Sequence, residues 1–113
     1  MSLNSFCAVA NSKYKKEAAF LIYSIRAFYD FPILLYCDVD TRQYLKGFGF
    51  KNIFYRDHLN QAKIGEINQK VAHVKRHNEF HSPEYIYLKM DAMEEAISNF
   101  GNTLFVDSDI CIV

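Results

Sequence analysis

Short apolar runs alternate along this chain with longer stretches of helical periodicity. Ser5–Ala10 (SFCAVA) is a compact apolar run and predicts the first strand. Asn11 and Ser12 offer a helix N-cap. Across Lys13–Tyr29, Ala18, Leu21, Ile22, Ile25 and Phe28 then recur at spacings of three and four, one apolar stripe of a helix. Phe31-Pro32 breaks that helix, and Ile33–Cys37 (ILLYC) predicts a second strand ending at Asp38. Asp40 and Thr41 can cap a short helix that Gly47 terminates, and Asn52–Tyr55 reads as a short third strand. Ile67, Val71 and Val74 suggest a further helix between Leu59 and Phe80. Ser82-Pro83 is a start signal, with an N-cap serine before a proline at the first helical position. The helix it opens runs to about Phe100, with Ile86, Met90, Met93 and Ile97 on one face and Gly101 as its stop. Thr103–Val106 (TLFV) is the next strand, followed by Asp107-Ser108-Asp109 and the apolar Ile110–Val113.

Alternating strands and helices predict an α/β domain: a doubly wound, mainly parallel sheet with helices on both faces. Ligands of such sheets bind beyond the carboxyl ends of the strands. The polar residues expected there are Asn11, Ser12, Asp38, Arg56, Asp57, Asp107 and Asp109. The apolar ending Ile110–Val113 is unlike a polar, fraying terminus. It predicts that the natural chain continues, or that this segment pairs with a second copy to make a homo-oligomer. Met1–Leu3 reads as a dispensable leader.

Composition narrows the class. The 113 residues suffice for one small domain. Half of them are hydrophobic and 16% aromatic, which excludes disorder. Thirteen basic and thirteen acidic residues cancel, so the basic excess of a general nucleic-acid binder is missing. The basic cluster His73, Lys75, Arg76, His77 reads as a solvated helix side. No apolar stretch reaches the roughly 18–20 residues of a membrane span, and no signal peptide is visible at the N-terminus. Cys7, Cys37 and Cys111 are odd in number and lack metal-type spacing. Each sits in an apolar run, as buried free thiols do, which points to a reducing, cytoplasmic location.

Asp107-Ser108-Asp109 is the most informative tripeptide. Two carboxylates spaced by two at a strand end can aim into one crevice if the strand turns there. Mg²⁺ or Mn²⁺ takes one or two carboxylates together with substrate phosphates. Such a cation stabilises a departing diphosphate. A polar strand-to-loop turn uses the same residue types, and the tripeptide alone leaves both readings open.

The whole segment Gly101–Val113 (GNTLFVDSDICIV) resembles the DxD strand of GT-A-fold glycosyltransferases. Tyr87–Met93 (YLKMDAM) falls where that family has the helix before the DxD strand. Phe6–Ala10 with Asn11–Tyr14 looks like its first nucleotide-binding loop, and Tyr36–Asp38 fits its second strand. The resemblance implies a Rossmann-like GT-A fold, of which residues 1–113 would be the nucleotide-sugar-binding portion. The activity implied is glycosyl transfer from a nucleoside-diphosphate sugar to an unknown acceptor, with Mn²⁺ or Mg²⁺ as cofactor. Asp109 would coordinate the metal directly, and Asp107 would bind the ribose or reach the metal through water. Asn11 would contact the base or ribose, and Asp38 would lie near the base. A GT-A domain continues well past its DxD strand, so this 113-residue form is not expected to turn over alone.

Tyr14 is a loop tyrosine that can stack on a base. Lys89 is either a solvated helix-flank charge or a partner for a diphosphate. Asp91, flanked by Met90, Ala92 and Met93, needs a partner if it is partly buried. His73 and His77 have the spacing of a shared metal, but with no third ligand in view surface histidines are favoured. Two other classes stay in contention. A nucleotidyltransferase shares the sheet and the acidic metal site, but Asn11–Lys16 lacks the glycines of its phosphate loop. A non-catalytic oligomerising domain would use the apolar Ile110–Val113.

Overall fold

Ser5–Ala10 is apolar or small at every position because both of its faces are covered, as in the centre of a parallel sheet. The computed structural model describes residues 2–57 and 83–107, with side chains in the second stretch from Leu88 onward. Four strands, β1 (Ser5–Ala10), β2 (Ile33–Cys37), β3 (Ile53–Asp57) and β4 (Thr103–Phe105), form one sheet in the order β3-β2-β1-β4. Every pairing is parallel, with Phe6 opposite Ile33, Ile33 opposite Ile53 and Phe6 opposite Leu104. The fold is therefore α/β, as the alternation of elements predicts.

Strand alternation divides the core into two layers. Phe6, Ala8 and Ala10 of β1 join Ile33, Leu35 and Cys37 of β2 under helix α1 (Lys15–Phe28) and helix α2 (Val39–Lys46). Cys7, Val9 and Leu34 point the other way, against helix α3 (Pro83–Phe100). Helices thus cover both faces.

α1 buries Ala18, Leu21, Ile22 and Ile25 as its stripe predicts, but Phe28, at the last turn, is 62% exposed. A single 3₁₀ turn, Ser12–Tyr14, precedes it, capped by Asn11. α2 starts one residue after Asp38, and this aspartate, not Asp40 or Thr41, is its N-cap: its carboxylate accepts from the Thr41 amide. Gly47 keeps right-handed helical angles; the left-handed residue of that turn is Gly49, at φ 69°. Asn52, read as strand, lies in the left-handed region at φ 61°, and its side chain donates to the Asp30 carbonyl before β3 begins.

The α3 stripe is a correction. Leu88, Ala92 and Ala96 are the buried positions, with Met93 and Phe100 half-buried, while Met90 and Ile97 are 59% and 58% exposed. Alanines at this contact let the helix backbone lie close on β1 and β4, which bulkier residues would hold away. The Ile86 side chain lies outside the described residues. Gly101 ends α3 as expected, at φ 91°, with its amide donating to the Ile97 carbonyl. Ser2 and Leu3 are not a loose leader: Leu3 packs on the core, and Asn102 Nδ2 donates to the Ser2 carbonyl at 2.7 Å.

The helix expected around Ile67–Val74, the basic cluster, all four histidines, Ser82, Cys111, Asp109 and the segment Ile110–Val113 lie outside the described residues. Among the described residues, no helix is long and apolar enough to cross a membrane.

Candidate functional site

The strand order places β2 and β3 on one side of β1 and β4 on the other. The loop after β1 leads to α1 on one face, while α3 reaches β4 from the opposite face. A crevice opens where connections diverge in this way, at the carboxyl ends of the two neighbouring strands. Here those ends are Ala10-Asn11 and Val106-Asp107.

On the β1 side the loop is organised by a carboxylate. Asn11 Oδ1 accepts from the Lys13 amide at 3.0 Å and starts the 3₁₀ turn. The Ser12 amide (2.9 Å) and hydroxyl (2.8 Å) both donate to Asp38 Oδ2, while Asp38 Oδ1 accepts from the Thr41 amide at 2.8 Å. Burial alone would raise the Asp38 pKa, but hydrogen bonds from Thr41 and Ser12 outweigh it and bring the carboxyl from 3.8 to about 2. Asp38 therefore ties the end of β2 to the loop after β1, and both of its oxygens are engaged in doing so. Tyr14 stands at the outer edge of this loop, 37% exposed, with the Lys13 ammonium 5.4 Å from its ring centroid. Lys15 adds an ion pair to Asp40 at 3.2 Å.

On the β4 side, alternation fixes which face Asp107 serves. Phe105 packs toward α3 and Val106 toward α1, so the next residue returns to the α3 face. There Asp107 Oδ1 meets Lys89 Nζ at 3.1 Å. The lysine stem is held: its side chain is 21% exposed, and its ammonium lies 5.4 Å from the Phe105 ring centroid. The Asp107 side chain is 52% exposed, so its carboxylate still faces solvent beyond the end of β4. A hard cation seeks such an oxygen donor, but here the Lys89 ammonium already supplies positive charge beside it.

A further polar cluster sits under α3 near the ends of β2 and β3. Glu95 accepts from the Tyr36 hydroxyl and from Arg56 Nε, each at 2.6 Å. Burial first, then the Glu95 carboxylate, push the Tyr36 hydroxyl well above its usual range. Glu95 drew no notice in the sequence. Register would have found it, since Tyr36 and Arg56 are direct parallel neighbours beneath one helix.

A hollow of about 800 Å³ opens elsewhere among the described residues. Tyr23, Arg26, Asp30, Phe48 and Lys51 border it, beside the amino ends of β2 and β3. Its guanidinium is already spent on structure, with Arg26 donating to the carbonyls of Tyr29, Lys51 and Asn52. Charged and polar groups converge instead at the carboxyl ends of the strands.

Of the residues expected at a site, Lys89 and Asp107 are brought into contact, and Asn11 and Asp38 are joined through Ser12. The two groups stand on neighbouring strand ends, since β1 lies between β2 and β4. Ser12, expected as a capping and strand-end polar residue, proves to be the link between the loop after β1 and the end of β2. No family model and no curated protein matches this chain.

Proposed function

We propose that this chain is the donor-binding part of a GT-A-type, metal-dependent glycosyltransferase with a Rossmann-like fold, working in the reducing setting that its buried free Cys7 and Cys37 suit. The observation that carries the reading is the Lys89–Asp107 pair at the carboxyl end of β4, where the strand order reverses. In this reading the nucleoside lies across the loop Asn11–Tyr14, with Tyr14 available to stack on the base. Asp38, with its oxygens committed to Ser12 and Thr41, shapes that loop more than it contacts the base. The diphosphate lies toward Asp107, where Lys89 meets its negative charge.

Among the described residues no three His, Cys, Asp or Glu side chains converge as a metal cage. The cation of this reading would be held by one or two carboxylates and completed by phosphate oxygens and water. Asp107 and Asp109 would hold Mn²⁺ or Mg²⁺, which supplies positive charge to the departing diphosphate.

A thermal-shift panel of UDP, GDP, CDP and dTDP, each with and without Mn²⁺, tests the reading on wild type, Asp107→Asn and Asp109→Ala. One nucleotide should raise the melting temperature only with Mn²⁺ and lose the effect in both variants. A nucleotide at about a hundred times its dissociation constant adds roughly 2.7 kcal/mol, an easily read shift. A full shift in Asp107→Asn would remove the site from Asp107.

A second reading, a domain that assembles through copies of itself, is favoured by one observation. Met90, Ile97 and Leu104 expose large apolar side chains on α3 and β4. Under that reading light scattering shows a dimer that Ile97→Glu dissociates; a monomeric wild type rejects it.

A further inference from the structure

The hollow of about 800 Å³ lies between α1 and the turn after α2, and its size falls within the roughly 300–1,000 Å³ of small-molecule sites. Two walls bound it. From α1 come Tyr23, 70% exposed, and Ala27 one turn later, whose small side chain leaves the space open. From the turn after α2 come Phe48 and Phe50, with Gly49 between them in the left-handed region at φ 69°. Their rings stack with centroids 5.3 Å apart, and Tyr44 meets Phe48 edge-on at the same distance. Phe48 is thus a held ring, although it is 54% exposed.

Charge gives the hollow a sign. Among the described residues that line it, Arg26 and Lys51 are cations and Asp30 is the one carboxylate, which leaves a positive charge over. Arg26 Nε, Nη1 and Nη2 donate to the carbonyls of Lys51, Tyr29 and Asn52 at 2.9, 3.0 and 3.0 Å. Those acceptors fix the guanidinium but are neutral, so they do not cancel its charge. Burial lowers the Arg26 pKa, and the Asp30 carboxylate works against that lowering. An anion in the hollow would offset the same burial penalty. The geometry points to a binding site for a small planar aromatic monoanion, such as an arylcarboxylate. Its ring lies between Tyr23 and the Phe48–Phe50 stack, and its carboxylate turns to the Lys51 ammonium within the field of Arg26. The hollow opens beside the amino ends of β2 and β3, while Asp107 follows the carboxyl end of β4, so the two sites stand or fall separately.

The test is a titration of the 113-residue chain with 1-naphthoate, 1-naphthamide and 1-naphthylmethylammonium, read from backbone amide chemical shifts. These probes share a ring system and differ in charge. 1-Naphthoate should saturably shift the amides of Ala27, Phe48 and Lys51. It should bind about five- to tenfold more tightly than 1-naphthamide, the Coulomb effect of one unit charge near the surface. The ammonium probe should bind more weakly still. Lys51→Met should reduce 1-naphthoate to the affinity of 1-naphthamide while ring binding persists. Tyr23→Ser and Phe48→Ala should each weaken every probe by about three- to tenfold, as loss of an aromatic contact does. Tyr23 is the more exposed of the two, so its variant still reads the site if Phe48→Ala fails to fold. No saturable shift at these amides, or binding unchanged in Tyr23→Ser, overturns the site. Equal affinity for the three probes overturns the choice of an anion and the proposal with it.

Discussion

Replacing Asp38 with asparagine keeps the shape of the side chain but removes the charge that three hydrogen bonds converge on. It also turns one acceptor oxygen into a donor facing either Ser12 or Thr41. A carboxyl lowered from 3.8 to about 2 represents about 2 kcal/mol of stabilisation at neutral pH, at about 1.4 kcal/mol per unit. The Ser12 bonds lie at the surface, so solvent screening reduces this to about 1–2 kcal/mol. Loss of an N-cap independently costs a similar amount. The sign follows from the direction of the shift. A depressed folded-state pKa gives stability that is fully present above the unfolded pKa near 4 and is lost as pH falls through about 2. Urea unfolding of wild type and Asp38→Asn at pH 7 should differ by about 1–2 kcal/mol, and about half of that difference should be gone by pH 3. A gap that stays constant between pH 7 and pH 3, or no gap at pH 7, refutes the role given to this carboxylate.

Two further outcomes follow from packing and burial. Ala96→Leu should cost about 1–3 kcal/mol by forcing α3 away from the sheet, whereas Ile97→Ser should change stability by less than about 0.5 kcal/mol. Urea midpoints of the two variants read this, and a larger cost at Ile97 contradicts the stripe Leu88-Ala92-Ala96. Burial first, and then the neighbouring Asp38 carboxylate, push the Cys37 thiol up to about 12, and burial also raises Cys7. In a Cys111→Ser background, Cys37 should react with a disulfide reagent at pH 8 on the order of a thousandfold more slowly folded than unfolded, and Cys7 should be slowed as well. Fast reaction of the folded protein would contradict their burial.

Much of the fold was legible because the elements that matter are extreme in pattern. β1 and β2 are buried on both faces and so appear as unbroken apolar runs, and Ile33–Cys37 is found where the sequence predicts it. Gly101 marks the end of α3 because a left-handed residue is needed there and little but glycine takes that angle easily. The α3 stripe was misread because counting bulk favours Met90 and Ile97, while a helix lying close on a sheet selects for small size at Ala92 and Ala96. The cap of α2 was placed two or three residues late, because Asp38, Asp40 and Thr41 are all capping residue types and only the Thr41 amide geometry decides among them.

At the site, Asp107 and Lys89 were each visible, but their meeting depends on the face on which β4 presents Asp107. That face follows from alternation once Phe105 is known to pack on α3. The Ser12–Asp38 link joins residues 26 positions apart in sequence and arises only from the register of β1 beside β2. Nothing local in the sequence signals it. The Tyr36–Glu95–Arg56 cluster went unnoticed for the same reason, since three different elements supply it.

The central claim is that a cation and a nucleoside diphosphate meet at the carboxyl ends of β1 and β4. Paramagnetic broadening of backbone amide resonances by Mn²⁺ in the presence of the active nucleotide tests it most directly. The account predicts strongest broadening at Val106 and Asp107, extending to Asn11 and Ser12, with no effect at Tyr23, Arg26 or Phe48 and none anywhere in Asp107→Asn. Broadening centred on the hollow beside Tyr23 and Phe48, or spread evenly over the surface, would contradict it.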